Sequence, residues 1–272
     1  MVTFLPTPIG NLEDITLRVL QRLKECEVLL CEDTRITKKL ITLLQDRGLL
    51  TKKEYIYHAL HSHNEEQFLN NVSLEFFNQE IAYLSDAGMP CISDPGAKLI
   101  LFLQGHNIPY DVYGGISALT LGVAFSGIVE KEFVFLGFPP HKMQEKMEFF
   151  RKNLKNEIPF VFYESPYRLL ETLELLCKID KHLQVFLAKE LTKKYQTTFF
   201  GKITEVFENL SKTNIKGEWV CVVKAEAKEE HKKSLSEEEI YSLDIPPKIK
   251  AKLLSKLQNR ATQEIYKELC EK

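Results

Sequence analysis

The sequence lacks the features that would place it in a membrane, in a secretory pathway or among strongly basic proteins. No apolar run approaches the ~20 residues of a membrane-spanning helix, so no transmembrane segment is predicted. The first residues show neither the charged flank nor the apolar core of a signal peptide, and we expect a cytoplasmic protein. The net charge of −2 argues against a generally cationic nucleic-acid binder, while a local basic patch is still compatible with it.

Cysteine, histidine and glycine occur without the spacings that mark metal or pyrophosphate sites. The six cysteines include no Cys-x-x-Cys pair, and most have apolar neighbours, which predicts reduced core thiols. The seven histidines include no His-Glu-x-x-His, so no metal site is predicted. The 12 glycines form neither Gly-x-Gly-x-x-Gly nor Gly-x-x-x-x-Gly-Lys-Ser/Thr, which disfavours both of those modes of pyrophosphate binding.

The first 113 residues alternate between strand-like and helix-like segments, which predicts an α/β domain with a mostly parallel sheet. The strand-like segments are 2–6, 28–31, 55–59, 81–84 and 110–112. Leucine and phenylalanine stripes at helical spacing lie between them. Thr16, Thr34 and Asn64 are the predicted N-caps of three of these helices.

A second α/β block follows a predicted hinge at residues 114–117. Its strand-like segments are 133–136, 160–163, 185–187, 197–200 and 219–223. Because the later ones are joined by short connections, this sheet is predicted to be mixed, with antiparallel pairs. The predicted organisation is therefore an N-terminal domain at 1–113, a C-terminal domain at 114–225, a charged linker at 226–239 and a helical tail at 240–272.

The tail combines helical periodicity with positive charge. Its last 27 residues hold seven lysines and arginines against three glutamates, a local charge of +4. Two interpretations are compatible with this pattern: a basic helical pair that binds nucleic acid, or a solvated helical hairpin on the surface of the protein.

Residues 85–96, Ser-Asp-Ala-Gly-Met-Pro-Cys-Ile-Ser-Asp-Pro-Gly, form the most informative segment. They follow a short apolar strand and combine two glycines, two prolines and two aspartates. These residue types favour a defined turn conformation over a flexible loop. Open α/β sheets bind ligands at such strand ends. By itself the segment is equally consistent with a tight turn that leads into a helix.

Polar residues follow several other predicted strands. Residues 32–35 bring two carboxylates beside an arginine, and such a group is costly to bury without a function. Residues 61–64 carry two histidines without a third metal ligand, which favours hydrogen bonding or RNA contact. Glu164 and Glu190 are either general bases or ion-pair partners. Five polar strand-end loops together predict a cleft between the domains.

Six segments in this order resemble the branch of the tetrapyrrole-methylase superfamily that methylates small-subunit ribosomal RNA. They are residues 5–16, 32–35, 60–65, 85–96, 162–165 and 190–193. The resemblance implies a two-domain fold that binds S-adenosylmethionine in the interdomain cleft. It also implies 2′-O-methylation of a cytidine ribose in the decoding region of 16S rRNA by a cytoplasmic homodimer.

The same resemblance implies which residues hold the cofactor, mainly through main-chain groups. They are Ile9, Gly10, Asp86, Ala87, Gly88, Met89, Ile92, Ser117, Ala118, Tyr163 and Ala188. Glu32, Asp33 and Glu164 are the candidates for a catalytic base, because a ribose hydroxyl is a poor acid. The expected RNA contacts are Arg35, His61, Asn64, Arg168 and Lys193.

Two other functions are compatible with these motifs. One is a methylase that acts on a corrin-type tetrapyrrole, and the other is a non-catalytic RNA-binding assembly factor on the same fold. The chain also departs from the family where Gly114-Gly115-Ile116 replaces a proline-containing segment, which predicts a softer loop before Ser117.

Overall fold

The computed structural model describes residues 1–225, 236–258 and 260–270. These belong to two compact units, Met1–Glu226 and Ala227–Lys272. All ten predicted strands form within the first unit, with ends that shift by at most two residues. Most of the predicted linker, residues 226–235, lies outside the described residues, and its last three residues begin a helix instead.

The first sheet contains five parallel strands in the order β3-β2-β4-β1-β5. The strands are Val2–Leu5 (β1), Val28–Cys31 (β2), Ile56–Ala59 (β3), Ile81–Leu84 (β4) and Tyr110–Val112 (β5). The chain leaves β1 toward one edge of the sheet and leaves β4 toward the other, so a crevice opens where these neighbouring strands end.

Helices cover both faces of this sheet, which is why its central strands are continuously apolar. They are Leu17–Glu25 (α1), Thr34–Asp46 (α2), Glu65–Asn71 (α3) and Ala97–Gly105 (α4), with short 3-10 helices at Leu12–Asp14 and Leu74–Asn78. Residues of α1 and α2 pack with Leu29 on one face, and α4 packs with Leu30 on the other.

Of the three predicted N-caps, Thr16 makes the capping hydrogen bond. The Thr16 hydroxyl accepts a hydrogen bond from the Val19 amide at 3.1 Å. The prediction for Thr34 is wrong, because Asp33 caps α2 and its carboxylate accepts from the Arg35 amide at 2.8 Å. Asn64 does precede α3, but its side chain accepts from the His61 amide instead of capping the helix.

The second sheet has five strands in the order β6-β7-β10-β8-β9 and is mixed, as predicted. It comprises Val134–Phe135 (β6), Phe160–Glu164 (β7), Gln184–Lys189 (β8), Thr197–Lys202 (β9) and Trp219–Lys224 (β10). Only β6 and β7 run parallel, and the other neighbours are antiparallel. Its helices are Ala118–Ser126 (α5), Met143–Leu154 (α6), Pro166–Ile179 (α7) and Ile203–Leu210 (α8).

Side chains alternate between the two faces of this sheet along β10. Cys221 and Val223 face the core formed with α6, α7 and α8, while Val220 and Val222 face α5. A Cβ at Gly122 would meet Val220 at 2.8 Å, so glycine allows α5 to lie close to the sheet. Ile9, from the loop after β1, packs into this second face and joins the two sheets.

The second unit contains three helices, Glu237–Ser242 (α9), Pro247–Gln258 (α10) and Thr262–Cys270 (α11). A capping box between Ser236 and Glu239 starts α9. Ile240, Leu254 and Ile265 form a small apolar core among them. No helix within the described ranges is both long and apolar enough to span a bilayer.

Candidate active site

A cavity of about 440 Å³ lies where the loops after β1, β2 and β4 meet the second sheet. All the predicted cofactor contacts except Gly10 line it, together with Glu32 and Glu164. The lining residues are Ile9, Glu32, Asp86, Ala87, Gly88, Met89, Ile92, Ser93, Asp94, Ser117, Ala118, Phe138, Tyr163, Glu164, Ser165, Pro166, Ala188, Leu191, Glu218, Trp219 and Val220. The cavity therefore brings together loops from both sheets.

The loop at residues 85–96 forms one wall of the cavity. Thr7 and Gly88 exchange two main-chain hydrogen bonds, of 3.0 and 2.9 Å, which tie this loop to the one after β1. Four of its residues have positive φ, and two of them, Cys91 at 68° and Ser93 at 64°, are not glycine. Such strained backbone persists where the surroundings hold it, and it clusters at functional sites.

Glu65 holds the far end of this loop. It is almost fully buried, and its Oε1 accepts hydrogen bonds from the amides of Gly96 at 3.2 Å and Leu99 at 3.1 Å. It therefore caps α4 from another helix, because Gly96 has no side chain to do so. The polar segment after β3 thus supports the cavity wall, a link that sequence spacing does not reveal.

Gly10 is the predicted cofactor contact that the cavity lining does not include. A Cβ at this position would collide with the Lys193 side chain and approach the Thr192 hydroxyl to 2.8 Å. The next residue, Asn11, donates its amide to that same hydroxyl at 3.0 Å. Gly10 thus permits close packing between the first loop and the loop after β8, and it does not line the cavity.

Two carboxylates at the strand ends are linked through main-chain amides. The Asp86 amide donates to Glu32 at 3.4 Å, and the Asp33 amide donates to Asp86 at 3.0 Å. Burial is the main reason that the pKa values of Glu32 and Asp86 are raised, and their mutual repulsion adds to the shift at Glu32. Asp33 behaves differently, because hydrogen bonds from Arg35 lower its pKa to about 2.

Asp94 has the most strongly perturbed carboxyl in the cavity. Burial raises its pKa to about 7, and the negative charges of Glu32 and Asp86 contribute in the same direction. A hydrogen bond from the Ser85 side chain opposes the shift. Sequence reasoning did not single out Asp94, although its position inside the loop at residues 85–96 was a signal that could have found it.

Glu164 lies at the centre of a buried polar network. Its carboxylate pairs with Arg168 at 2.6 Å, accepts from the Thr172 hydroxyl at 2.7 Å and accepts from the Ser165 amide at 2.9 Å. Lys146, which is fully buried, donates to the same Thr172 hydroxyl. Since these partners already satisfy the carboxylate, the geometry favours a structural role for Glu164.

The residues predicted to contact RNA fall into two groups. Arg35 is 89% exposed, and its guanidinium is held by Asp33 beside the acidic loops. His61 is close enough to Glu32 to lower the pKa of that carboxyl in part, and Asn64 adjoins it through the His61 amide. Arg168 and Lys193 instead make internal ion pairs, with Glu164 and with Glu190 and Glu218 respectively.

The cavity suits a cationic nucleoside. Ile9, Ala118, Leu191 and Val220 supply apolar surface, while the described lining residues include several acids and no lysine or arginine. Such a wall attracts positive charge, and carboxylates accept hydrogen bonds from hydroxyls and ammonium groups. The part of the chain that the structure describes contains no cluster of three histidine, cysteine or acidic side chains arranged to hold a metal ion.

Comparisons with known proteins agree with this picture. The family described as "Tetrapyrrole (Corrin/Porphyrin) Methylases" matches residues 1–206. A protein of Helicobacter pylori strain J99 named "Ribosomal RNA small subunit methyltransferase I" is 45% identical over 98% of this chain and 96% of its own. The protein of that name from Bacillus subtilis strain 168 is 37% identical over 83% of this chain and 75% of its own.

Two solved structures share the fold. A cobalamin biosynthetic enzyme, cobalt precorrin-4 methyltransferase, superposes with a TM-score of 0.59 at 11% identity, covering 82% of this chain and 94% of its own. The uroporphyrin III C-methyl transferase of Thermus thermophilus gives 0.55 at 16% identity, covering 82% and 96%. At such low identity these structures establish the architecture alone.

The two sheets and the acidic cavity between them therefore define a methyltransferase of the two-sheet α/β class. More particularly, the chain belongs to the tetrapyrrole methylase family, in which its curated relatives are named ribosomal RNA small subunit methyltransferase I. Its methyl donor is S-adenosylmethionine. The acidic, partly apolar lining fits a sulfonium nucleoside that carries hydroxyl and ammonium groups.

Proposed function

We propose that this protein methylates the 2′-hydroxyl of a cytidine in the decoding region of 16S rRNA, in the small ribosomal subunit. The observation that carries the proposal is the similarity, at 45% identity over almost the whole length of both chains, to relatives named for methylation of small-subunit ribosomal RNA. By analogy with the superfamily, we propose a cytoplasmic homodimer as the working form.

The residues around the cavity suggest how each part contributes. Asp86 and the main-chain groups at residues 86–89 would hold the cofactor, with Ile9 and Val220 against its apolar parts. S-adenosylmethionine, when bound, supplies an electrophilic methyl group. The protein then has to orient the acceptor hydroxyl and remove its proton, and orientation alone supplies much of the acceleration in such reactions.

The mouth of the cavity offers groups for the RNA. The Nε and Nη2 groups of Arg35 pair with Asp33, while the side chain is 89% exposed, so its remaining Nη1 can bind a phosphate. His61 and Asn64 lie on the neighbouring loop and complete the proposed contact region. Arg168 supports its loop through a buried ion pair with Glu164, and Lys193 joins Glu190 to the exposed Glu218.

The test is to map ribose methylation on 16S rRNA. Small subunits from cells that lack this protein are incubated with the purified protein and S-adenosylmethionine, and the RNA is then digested and analysed by mass spectrometry. We expect one additional 2′-O-methylcytidine, placed in the decoding region, and none when the protein is omitted. A methyl group on a base, or on a different ribose, would contradict the proposed specificity.

Methylation of a corrin-type tetrapyrrole is the second candidate, because the two solved structures described above are named for work on corrin or porphyrin substrates. Labelled S-adenosylmethionine offered with small subunits or with a tetrapyrrole precursor separates the two. Transfer of label to the tetrapyrrole alone would favour this candidate. A non-catalytic assembly factor would bind subunits without transferring label to either acceptor.

A further inference from the structure

Five acids line the cavity and Asp33 follows the same strand as one of them, and their surroundings differ sharply. Asp33 is tied to Arg35, which lowers its pKa to about 2, so it is a weak base. Glu164 is fully engaged by Arg168 and Thr172. Glu32 already accepts a main-chain hydrogen bond from Asp86. Asp86 accepts a main-chain hydrogen bond from Asp33, and Glu218 is paired with Lys193. Among the described residues, Asp94 is the acid on the cavity wall with neither an ion pair nor a main-chain hydrogen-bond donor.

The groups that face Asp94 come from several elements. The carboxylates of Glu32 and Asp86 face it from the loops after β2 and β4. The phenols of Tyr83 on β4 and Tyr163 on β7 lie close enough to respond to its charge, as does the Cys91 thiol in the same loop. The Ser85 hydroxyl, which also donates to the Gly88 carbonyl at 3.4 Å, is near enough to hydrogen-bond with it and lower its pKa. These neighbours are acids, phenols, a thiol and one hydroxyl.

The backbone around Asp94 is held in place from both sides. Ser93, directly before it, has φ of 64°, and Gly96, two residues after it, has φ of 115° and donates its amide to the buried Glu65. A Cβ at Gly96 would meet the Tyr83 ring at 2.9 Å, so the loop has no room to relax there. The carboxylate is thus positioned rigidly, as a proton acceptor must be.

We propose that the Asp94 carboxylate accepts the proton of the acceptor hydroxyl during methyl transfer. This inference rests on the proposed function and deepens it. The hydroxyl loses its proton to Asp94 while its oxygen forms a bond to the methyl carbon. The carbon–sulfur bond breaks at the same time, and its electron pair stays on sulfur as a neutral thioether. Positive charge therefore leaves the cofactor as the carboxylate becomes neutral.

The environment matches this role. A general base works best when its pKa lies near the working pH, and burial together with two like charges raises the pKa of Asp94 to about 7. A proton taken up there also relieves repulsion with Glu32 and Asp86. The same three acids favour entry of a cationic cofactor, so binding and proton removal use one electrostatic arrangement.

The experiment compares Asp94→Asn with wild-type protein in single-turnover methylation of small subunits between pH 5.5 and 9. The wild-type rate should rise with pH through about 7 and then level off, because the base must be ionised to act. Asp94→Asn should lower the rate by about 100-fold or more and abolish this rise. Asp46→Asn, at an exposed position on α2 outside the cavity, is the matched control and should keep the wild-type profile.

Two further measurements separate chemistry from structure. Ser85→Ala removes the hydrogen bond that lowers the Asp94 pKa, so the midpoint of the rate profile should move to higher pH. Carbon-13 NMR of the aspartate carboxyls, with Asp94→Asn for assignment, should show one group that titrates near pH 7 in the free protein. Binding of S-adenosylhomocysteine should change by less than about threefold in Asp94→Asn if the site remains folded.

Each outcome decides the matter. A wild-type rate and pH profile in Asp94→Asn, or a carboxyl that titrates near 4, would overturn the role of Asp94 while leaving the proposed function intact. The same change in Glu32→Gln, with Asp94→Asn unaffected, would assign the base to Glu32 instead. If wild-type protein transfers no methyl group to the subunits, the proposed function and this inference fail together.

Discussion

Individual charged residues in this protein are distinguished by their partners more than by their type. Arg35 and Arg168 both follow strands of the cleft and both carry the charge that a phosphate requires. Arg35 is almost entirely exposed, whereas Arg168 lies against the buried Glu164 and also donates to the Pro139 carbonyl at 3.1 Å. One arginine is therefore available to a ligand, and the other is part of the scaffold.

Substitution of these two arginines should separate binding from stability. Arg168→Met leaves Glu164 buried without its cation and should lower the free energy of unfolding by about 3 kcal/mol or more. Arg35→Ala should leave the free energy of unfolding unchanged and weaken binding to small subunits. The slope of log K against log salt concentration should become shallower by about 1, as expected for the loss of one phosphate contact. Urea unfolding and binding titrations at several salt concentrations measure both. A weaker salt dependence in Arg168→Met with unchanged stability would contradict the assignment.

Adjacent glutamates on α3 offer a second contrast. Glu65→Ala removes the acceptor for the amides of Gly96 and Leu99, and the loss of such a cap costs about 1 to 2 kcal/mol. Glu66→Ala breaks only an exposed ion pair with Lys98 and should cost less than about 1 kcal/mol. Chemical unfolding of both variants is the measurement. We also expect weaker binding of S-adenosylhomocysteine to Glu65→Ala alone, and equal effects of the two substitutions would show that the cap is unimportant.

Among the elements, the loops that bound the cavity depend on close approaches between segments far apart in the sequence. Gly115 is packed against the Pro6 ring, and the cavity is lined by Ser117 at the end of this loop and by Ala118, the first residue of α5. Glycine is therefore needed at position 115, because a larger side chain would overlap Pro6 in the loop after β1. The sequence predicted only that the altered segment would be softer, because the contact with Pro6 is not visible in local spacing.

The neighbouring glycines at 114 and 115 allow this idea to be tested. A Cβ at Gly115 would overlap Pro6, so Gly115→Ala should cost about 1 to 3 kcal/mol and lower the affinity for S-adenosylhomocysteine. Among the described residues nothing lies within 4 Å of a Cβ at Gly114, so Gly114→Ala should bind the ligand normally. Calorimetric titration and thermal unfolding compare the two. Similar losses in both variants would point to a general need for loop flexibility.

At the scale of the whole chain, each unit has its own charged feature: the first contains an acidic cavity, and the second has a basic face on α10. Lys248, Lys252 and Lys256 are exposed on α10 at intervals of four residues, so they share one face of the helix. Lys250 is turned elsewhere and donates to the Tyr241 carbonyl at 2.8 Å. This stripe of three exposed lysines favours the interpretation that the tail contacts nucleic acid.

Neutralising the stripe should affect RNA binding without affecting cofactor binding. The triple substitution of Lys248, Lys252 and Lys256 by glutamine should weaken binding to small subunits. The slope of log K against log salt concentration should become shallower by about two to three, because fewer counterions are released. Affinity for S-adenosylhomocysteine should be unchanged, and Lys212→Gln, an exposed lysine of the first unit, serves as the control. Unchanged subunit binding in the triple variant would support the other interpretation, that the tail is a solvated helical hairpin.

Apolar periodicity and turn chemistry are local properties, so the ten strands, the order of the loops and the family could be predicted from the sequence. Which acids are free of ion pairs depends instead on how distant segments pack. Glu164 is neutralised by a partner four residues away, and Gly10 allows close packing against Thr192 and Lys193. Asp94 lies near like charges and has no ion pair among the described residues. Ionisation and hydrogen bonding depend on what lies within a few ångströms in space, and distant segments of the chain supply those neighbours.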